Sequence, residues 1–416
     1  MNRSPLWALT TLLLLATPSL AAEAMAPEVT TSSQDRMEYL PQLAYNSLHD
    51  EYLVVWHDLD AAASPARRIL ARRLDRYGRA LSGTLVVSPT GDNRDRAQAA
   101  VAYDKVNDRY LLVYVFDFNG NGSDWDVRGR FLSWDALNRG SEFALGASGS
   151  NEWNPQVDYS YLSGKFLVAW TLEPSGVNAA VRGALVTSGS VTEFPIAASA
   201  SGHRFRPDVA YQPYGDNFLV VYDSGLDVFG TIVTAAGAVG SEVAIAAWPG
   251  TESTPAVASC DNYQYVVVWH SAVSGAGNEV YARFLHGDGT IHTAPIHISG
   301  TTSNEQRPDI ACIDGDIDYV VTYEQQYTNA QYGISGRRIT ATQGLRPEFV
   351  IRGVGGGETG VTFHPRVAGS EAGWLVTWEH QRQGSSYQDI HGRVVWSLFA
   401  DGFEWSGTGQ WSSTMP

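Results

Sequence analysis

Seven positions in this chain follow directly on an aromatic residue that closes an apolar run: His57, Val115, Thr171, Asp223, His270, Glu324 and Glu379. Asp58 and His380 lie one step further on. Carboxylates and imidazoles are the groups that move protons in acid–base catalysis, and they also hold cations. Brought to one rim, His57, Asp58, Asp223, His270, Glu324, Glu379 and His380 would form a polar ring able to cleave a polymer by hydrolysis or elimination. Asp126, Asp227, Glu279 and Asp389 open the next strand in four of the same repeats and would enlarge that ring. The competing reading is architectural. A residue that recurs in every repeat serves the fold, here by closing strand ends and pairing with the recurrent arginines Arg72, Arg130, Arg283, Arg337 and Arg393.

The loop "DFNGNGSDWD", residues 117–126, departs most from its sister loops. Asp117, Asn119, Asn121, Asp124 and Asp126 are hard oxygen ligands on a glycine-bearing loop, which suits Ca²⁺. The first positions follow the start of an EF-hand loop, but Arg128 stands where a bidentate glutamate is needed. The alternative is an ordinary Asn/Asp/Gly hairpin. Ca²⁺ is the one cofactor these residues imply.

Other motifs carry less. "GGGETG", residues 355–360, fits GxGxxG but precedes a strand, so no helix end is there to hold a phosphate. His286, His292 and His297 share one hairpin without an acid or thiol to complete a zinc set. Neither GxSxG nor HExxH occurs, although a triad assembled in space leaves no local signature.

What must position these groups is a repeat. The phrase "PDVAYQPYGDNFLVVYD", residues 207–223, has relatives that begin at Pro41, Ala99, Pro155, Pro207, Pro255, Pro308 and Pro365, at intervals of 58, 56, 52, 48, 53 and 57 residues. A period near 50 is the length of a propeller blade. Each copy reads as four short strands: "PxVAY", an apolar run such as "FLVVY", a stretch such as "DVRGRFL", and a last strand such as "EFALGA". The second strand is apolar on both sides, as in a sheet covered on both faces. The seventh copy stops after its third strand, while Val29 precedes Pro41 by the same 12 residues that separate Phe143 from Pro155 and Val243 from Pro255. The expectation is an all-β, seven-bladed β-propeller of four-stranded blades, with the N-terminal strand completing the last blade and leaving few free edges.

Cys260 and Cys312 are the only cysteines, five and four residues after their repeat prolines. Strand alternation makes them either face each other between the fifth and sixth blades or both face away. An oxidising compartment favours a disulfide. The start of the chain points to such a compartment: "MNR", then "LWALTTLLLLA", then small residues at Ala21–Ala24 read as a signal peptide over 1–22. Residues 25–396 form the repeat domain and 397–416 an aromatic tail. No later run is apolar enough to span a membrane. Net charge is −16, with Lys105 and Lys165 the only lysines, which sets nucleic acid aside as a partner.

The repeat resembles exported bacterial propellers whose units read roughly P-x-[VI]-A-Y, YLVVW, DIxGxR. That resemblance implies an architecture and no single activity. The tail "LFADGFEWSGTGQWS", residues 398–412, is similar to the DGFE-type ending of secreted gammaproteobacterial proteins, with Thr408 where an acid is usual. Its aromatics Phe399, Phe403, Trp405 and Trp411 equally suit a cap packed on the domain. Two functions follow as expectations. One is a secreted or periplasmic, non-catalytic recognition or scaffold protein, Ca-stabilised through the 117–126 loop, that binds a protein or glycan through one ring face. The other is an extracellular polymer hydrolase or lyase working at the channel mouth. Oligomeric state is not legible.

Overall fold

The computed structural model describes residues 25–396, apart from 33–35, 61–64, 199–201, 261–262, 274–276, 300–302, 314–316, 329–330, 341–343, 355–359, 372 and 383. The expected signal peptide and aromatic tail lie outside the described residues, as does most of the "GGGETG" stretch. Among the described residues the chain is all-β: five four-stranded sheets and one of eight strands. A 3-10 turn, Pro213–Gly215, closes one hairpin, and no helix is long and apolar enough to cross a membrane.

The four strands of a repeat pair antiparallel in chain order. In the second repeat they are Arg96–Asp104, Arg109–Asp117, Trp125–Ser133 and Phe143–Gly146. The first and seventh repeats share the eight-stranded sheet, joined by one parallel pair, Met37 with Gln388. Val29–Thr30 adds to the free side of Gln388–Trp396, with Val29 opposite Gly392 and Thr30 opposite His391.

The second strand of each repeat is the apolar one because both its faces are covered. Tyr52, Leu53, Val54, Val55 and Trp56 are all 0% exposed. The core lies in layers between consecutive repeats. Leu111, Val113 and Val115 pack on Phe166, Val168 and Trp170. Leu375, Ile390 and Val394 of the last repeat pack likewise on Tyr52, Val54 and Trp56 of the first. Each fully buried Val or Leu contributes about 1.5–3 kcal/mol, so these layers dominate the stability of the assembly.

Two recurrent residues acquire a reason here. The third-strand glycine leaves a slot for a fourth-strand side chain. A Cβ on Gly129 would meet the Phe143 ring at 2.8 Å, and one on Gly336 the Phe349 ring at 2.9 Å. The arginine after it does not pair with the acids that follow the aromatics. Arg130 donates to the Val87 carbonyl (3.0 Å) and Arg337 to that of Ile298 (2.6 Å). Arg72, Arg283 and Arg393 reach the carbonyls of Thr31, Ile245 and Ile351 in the same way. The guanidinium leaves the third strand toward the neighbouring sheet and meets its fourth-strand backbone first.

Cys260 and Cys312 close the first strands Glu252–Cys260 and Asn304–Cys312 and are joined in a disulfide, with Cα atoms 5.7 Å apart. Of the two arrangements that alternation allowed, the cysteines adopt the facing one expected of an exported chain.

Candidate functional site: the channel mouth

The first strands line a central channel of about 330 Å³, to which every repeat contributes. At one end it opens into a cavity of about 190 Å³ ringed by the residues at and just before the repeat prolines. Those residues share one backbone irregularity. Leu40, Gln98, Asn154, Arg206, Thr254, Arg307 and His364 all have φ between +48° and +53°. In each case the pairing with the second strand shifts register at that point. Seven different side chains adopt the same bulge, so the architecture imposes it. A left-handed non-glycine residue costs of order 1–3 kcal/mol. The bulge frees a backbone N–H and, in six of the seven repeats, places its residue in the lining of the mouth.

The polar residues after the aromatics answer that N–H. Glu379 Oε1 accepts it from Leu40 at 2.7 Å, Glu324 Oε1 from His364 at 2.8 Å, and Asp223 Oδ2 from Thr254 at 3.1 Å. Thr171 Oγ1 does the same for Arg206 at 3.1 Å. In the second repeat, where Val115 has no acceptor, Gln98 Oε1 takes over and receives the Asn154 N–H at 2.8 Å. Each acceptor sits one repeat before its donor, so the contact sews neighbouring sheets together.

The same residues hold the mouth side chain of their own repeat. Asp223 receives Arg206 through Nε (2.9 Å) and Nη2 (2.7 Å). Glu324 receives Arg307 Nη1 at 2.9 and 3.1 Å, together with Gln306 Nε2 at 2.9 Å. Glu379 bonds His364 Nδ1 at 2.9 Å. His270 contacts Thr254 Oγ1 at 2.6 Å and Ser253 Oγ at 3.1 Å. Burial, with Arg206 and Arg307 nearby, pushes the His270 imidazole down to about 4. Asp223 and Glu324 are 0% exposed and Glu379 2%. The carboxylates therefore lie beneath the mouth and the cations face it.

The remaining ring candidates sit apart from that cavity. His57 is buried against Tyr39, with ring centroids 5.4 Å apart, and burial pushes it down to about 4. Asp58 is fully buried and paired with Arg36 (2.8 Å) and Arg68 (2.5 Å). Desolvation still raises it to about 6. His380 packs near His391, centroids 4.7 Å apart, and is likewise pushed down to about 4 by burial. None of the seven candidates lines the mouth cavity.

In the 117–126 loop, Asp117 accepts the N–H groups of Gly120 (2.9 Å) and Gly122 (2.8 Å), so its carboxylate caps the turn. Asn121 Oδ1 accepts from Ser123, Asn119 Nδ2 reaches Ser123 Oγ at 3.4 Å, and Asp126 pairs with Arg128 at 2.7 Å. Asp124 Oδ1 is buried with no hydrogen-bond partner among the described residues. Among the described residues no group of three or more His, Cys, Asp or Glu is placed to hold a metal ion.

Sequence reasoning missed the residues that do face the cavity: Asn154, Arg206, Thr254, Arg307, His364 and Arg366. The available signal was their place immediately before or after the repeat proline, where the copies diverge most in type. It also missed Asp208 and Asp309 in the channel. Burial and the Asp309 charge push Asp208 up to about 7. Each of the two accepts a backbone N–H from the next repeat: Val257 to Asp208 at 2.8 Å and Val367 to Asp309 at 2.7 Å.

Repeated four-stranded sheets around a channel define a β-propeller-like fold, and solved structures agree. The β-propeller domain of Cps50 (Swd1) from Myceliophteria thermophila is similar with a TM-score of 0.52 at 10% identity, covering 89% of this chain and 100% of that one. A fungal alcohol oxidase of the AA5 family, in complex with copper, gives 0.57 at 9% identity over 90% and 76%. A protein of unknown function from Dyadobacter fermentans gives 0.53 at 15% identity over 75% and 97%. At such identity the likeness extends to the fold alone. No protein family and no curated protein matches the sequence.

Proposed function

We propose that this chain is an exported recognition propeller of seven blades, with residues 25–396 as one domain, that binds an extracellular glycan at its channel mouth without turning it over. Seven blades follow from reading the eight-stranded sheet as two four-stranded blades bridged by the Met37–Gln388 pair. Closure is supported by Val29–Thr30 on Gln388–Trp396, and by Arg72 treating Thr31 as its sister arginines treat fourth strands. Glu28 adds contacts to His391, Arg352 (3.2 Å) and Arg393 (3.6 Å). The Cys260–Cys312 disulfide supports export.

The observation that carries binding over turnover is the engagement of Asp223, Glu324 and Glu379. A catalytic carboxylate must reach the scissile bond. These three are buried, each accepting a backbone N–H while also holding a cation or imidazole. A second reading, hydrolase or lyase, draws on Asp208, a carboxyl raised to about 7 in a cavity beside Arg366 and suited to acid–base work at neutral pH. One experiment separates the two. The purified protein is applied to a glycan array and, in parallel, incubated with the retained polymers while reducing ends and unsaturated products are measured. Retention without product supports recognition. Product formation abolished by Asp208→Asn in a folded variant would replace it with the enzyme.

A further inference from the structure

We infer that the mouth binds the carboxylate of one acidic sugar residue, a uronate at a chain end or branch, on Arg206, Arg307 and Arg366. The inference rests on the recognition reading and names the class of glycan.

The chain as a whole carries −16, yet its mouth is lined by three arginines. Arg206, Arg307, Arg366 and His364 line the cavity, and Asp208 is the carboxylate among the lining residues. Burial and Asp309 raise Asp208 to about 7, so near neutrality it carries only part of a charge. Asp223 and Glu324, which balance two of the arginines, lie underneath, sealed from solvent, while the side chains of Arg206 and Arg307 remain 45% and 42% exposed. What a ligand meets first is therefore guanidinium N–H groups, with their balancing acids behind them. Donors remain to bind it. Arg206 gives Nε and Nη2 to Asp223 and Arg307 gives Nη1 to Glu324, which leaves Arg206 Nη1 and Arg307 Nη2 uncommitted among the described residues. Among the described residues Arg366 makes one long hydrogen bond, 3.4 Å, to Asp309. Guanidinium groups held in place by buried acids are preorganised to take a carboxylate through paired N–H bonds.

The rest of the lining favours a sugar over a bare anion or a peptide. Asn154, Gln156 and Thr254 offer neutral donors and acceptors for hydroxyls. Pro207, Pro255, Pro308 and Pro365, all buried, form an apolar floor to the cavity. A volume of about 190 Å³ suits one ring and no extended chain. The cavity sits at the end of a channel, so it receives an end or a side group. An acidic peptide would want a groove.

The test is calorimetric titration of the purified full chain with D-glucuronate, with D-glucose, sodium acetate, sodium sulfate and hexaglutamate as separate arms. Glucuronate should bind one per chain, weaken as NaCl is raised, and outcompete acetate, while glucose gives no heat. Arg307→Gln and Arg366→Gln should each weaken it roughly tenfold or more. Because Arg307 shields a buried glutamate, Asn154→Ala is the variant to use if Arg307→Gln melts early. It should weaken glucuronate and leave acetate unchanged. Acetate or sulfate binding as tightly as glucuronate would overturn the sugar assignment, as would hexaglutamate binding in its place. No binding in any arm, with a neutral glycan still retained on the array, would overturn this inference and leave the recognition reading standing. Cleavage of a uronate-bearing polymer, with glucuronate bound, would do the reverse.

Discussion

Glu379 accepts the backbone N–H of Leu40 at 2.7 Å across 339 residues of chain, where the last repeat meets the first. The same oxygen bonds His364 Nδ1, a side chain of the mouth. One carboxylate thus joins sheet assembly to the geometry of the site. Glu379→Ala should leave a bulge N–H without an acceptor and cost about 1–3 kcal/mol of unfolding free energy in a denaturant titration. Glu379→Gln keeps an acceptor and should cost less. Thr171→Ala, which breaks the neutral version of the contact to Arg206, should cost about 1 kcal/mol. Equal losses for all three would argue against the stitch.

The disulfide between Cys260 and Cys312 spans 52 residues and two adjacent sheets. Its removal in a Cys260→Ser, Cys312→Ser double variant should destabilise the chain by about 4 kcal/mol on the chain-entropy account. Thermal melts with and without reductant check this, and the reductant should have no effect on the double variant.

If Val29–Thr30 closes the ring as proposed, deleting residues 25–32 exposes the edge of Gln388–Trp396. That edge is a template for pairing with other chains. The expected result is a lower melting temperature with aggregation followed by light scattering. A milder Glu28→Ala, which loses the contacts to His391 and Arg352, should lower the melting temperature without aggregation.

Buried titratable groups set a pH profile. Burial raises Glu38 and Glu152 to about 8 from an ordinary value of 4.5, with Asp389 and Asp58 reinforcing Glu38. The folded chain keeps protons that the unfolded chain releases, so this stability is full below pH 4.5 and lost as pH rises through 8. His57, His270 and His380, pushed from 6.5 down to about 4, act in the other direction. Their contribution is present above pH 6.5 and lost as pH falls through 4. The melting temperature should peak between pH 4.5 and 6.5. Glu38→Gln should flatten the alkaline side alone, and His57→Gln the acid side.

Much of the architecture was legible locally. The "PxVAY" and "YLVVW" segments became first and second strands because alternation and double-sided burial are properties of a short stretch of chain. The partnership of Val29 with Gly392 was legible because its spacing to Pro41 repeats that of true fourth strands. The site was legible only by half. Asp223, His270, Glu324 and Glu379 stand next to the mouth, as their place at strand ends implied, yet beneath the side chains that face it.

From the amino acids alone came the repeat, its strands, the disulfide partners and the strand that pairs with the last repeat. Each depends on period, alternation and residue type within about one repeat. The tertiary structure decided which groups meet a ligand. A one-residue bulge before each proline turns Arg206, Arg307 and His364 toward the axis, and the acids behind them are drawn under cover by N–H groups from the next sheet. Both effects depend on sheets packing side by side around a channel, which no single repeat can encode.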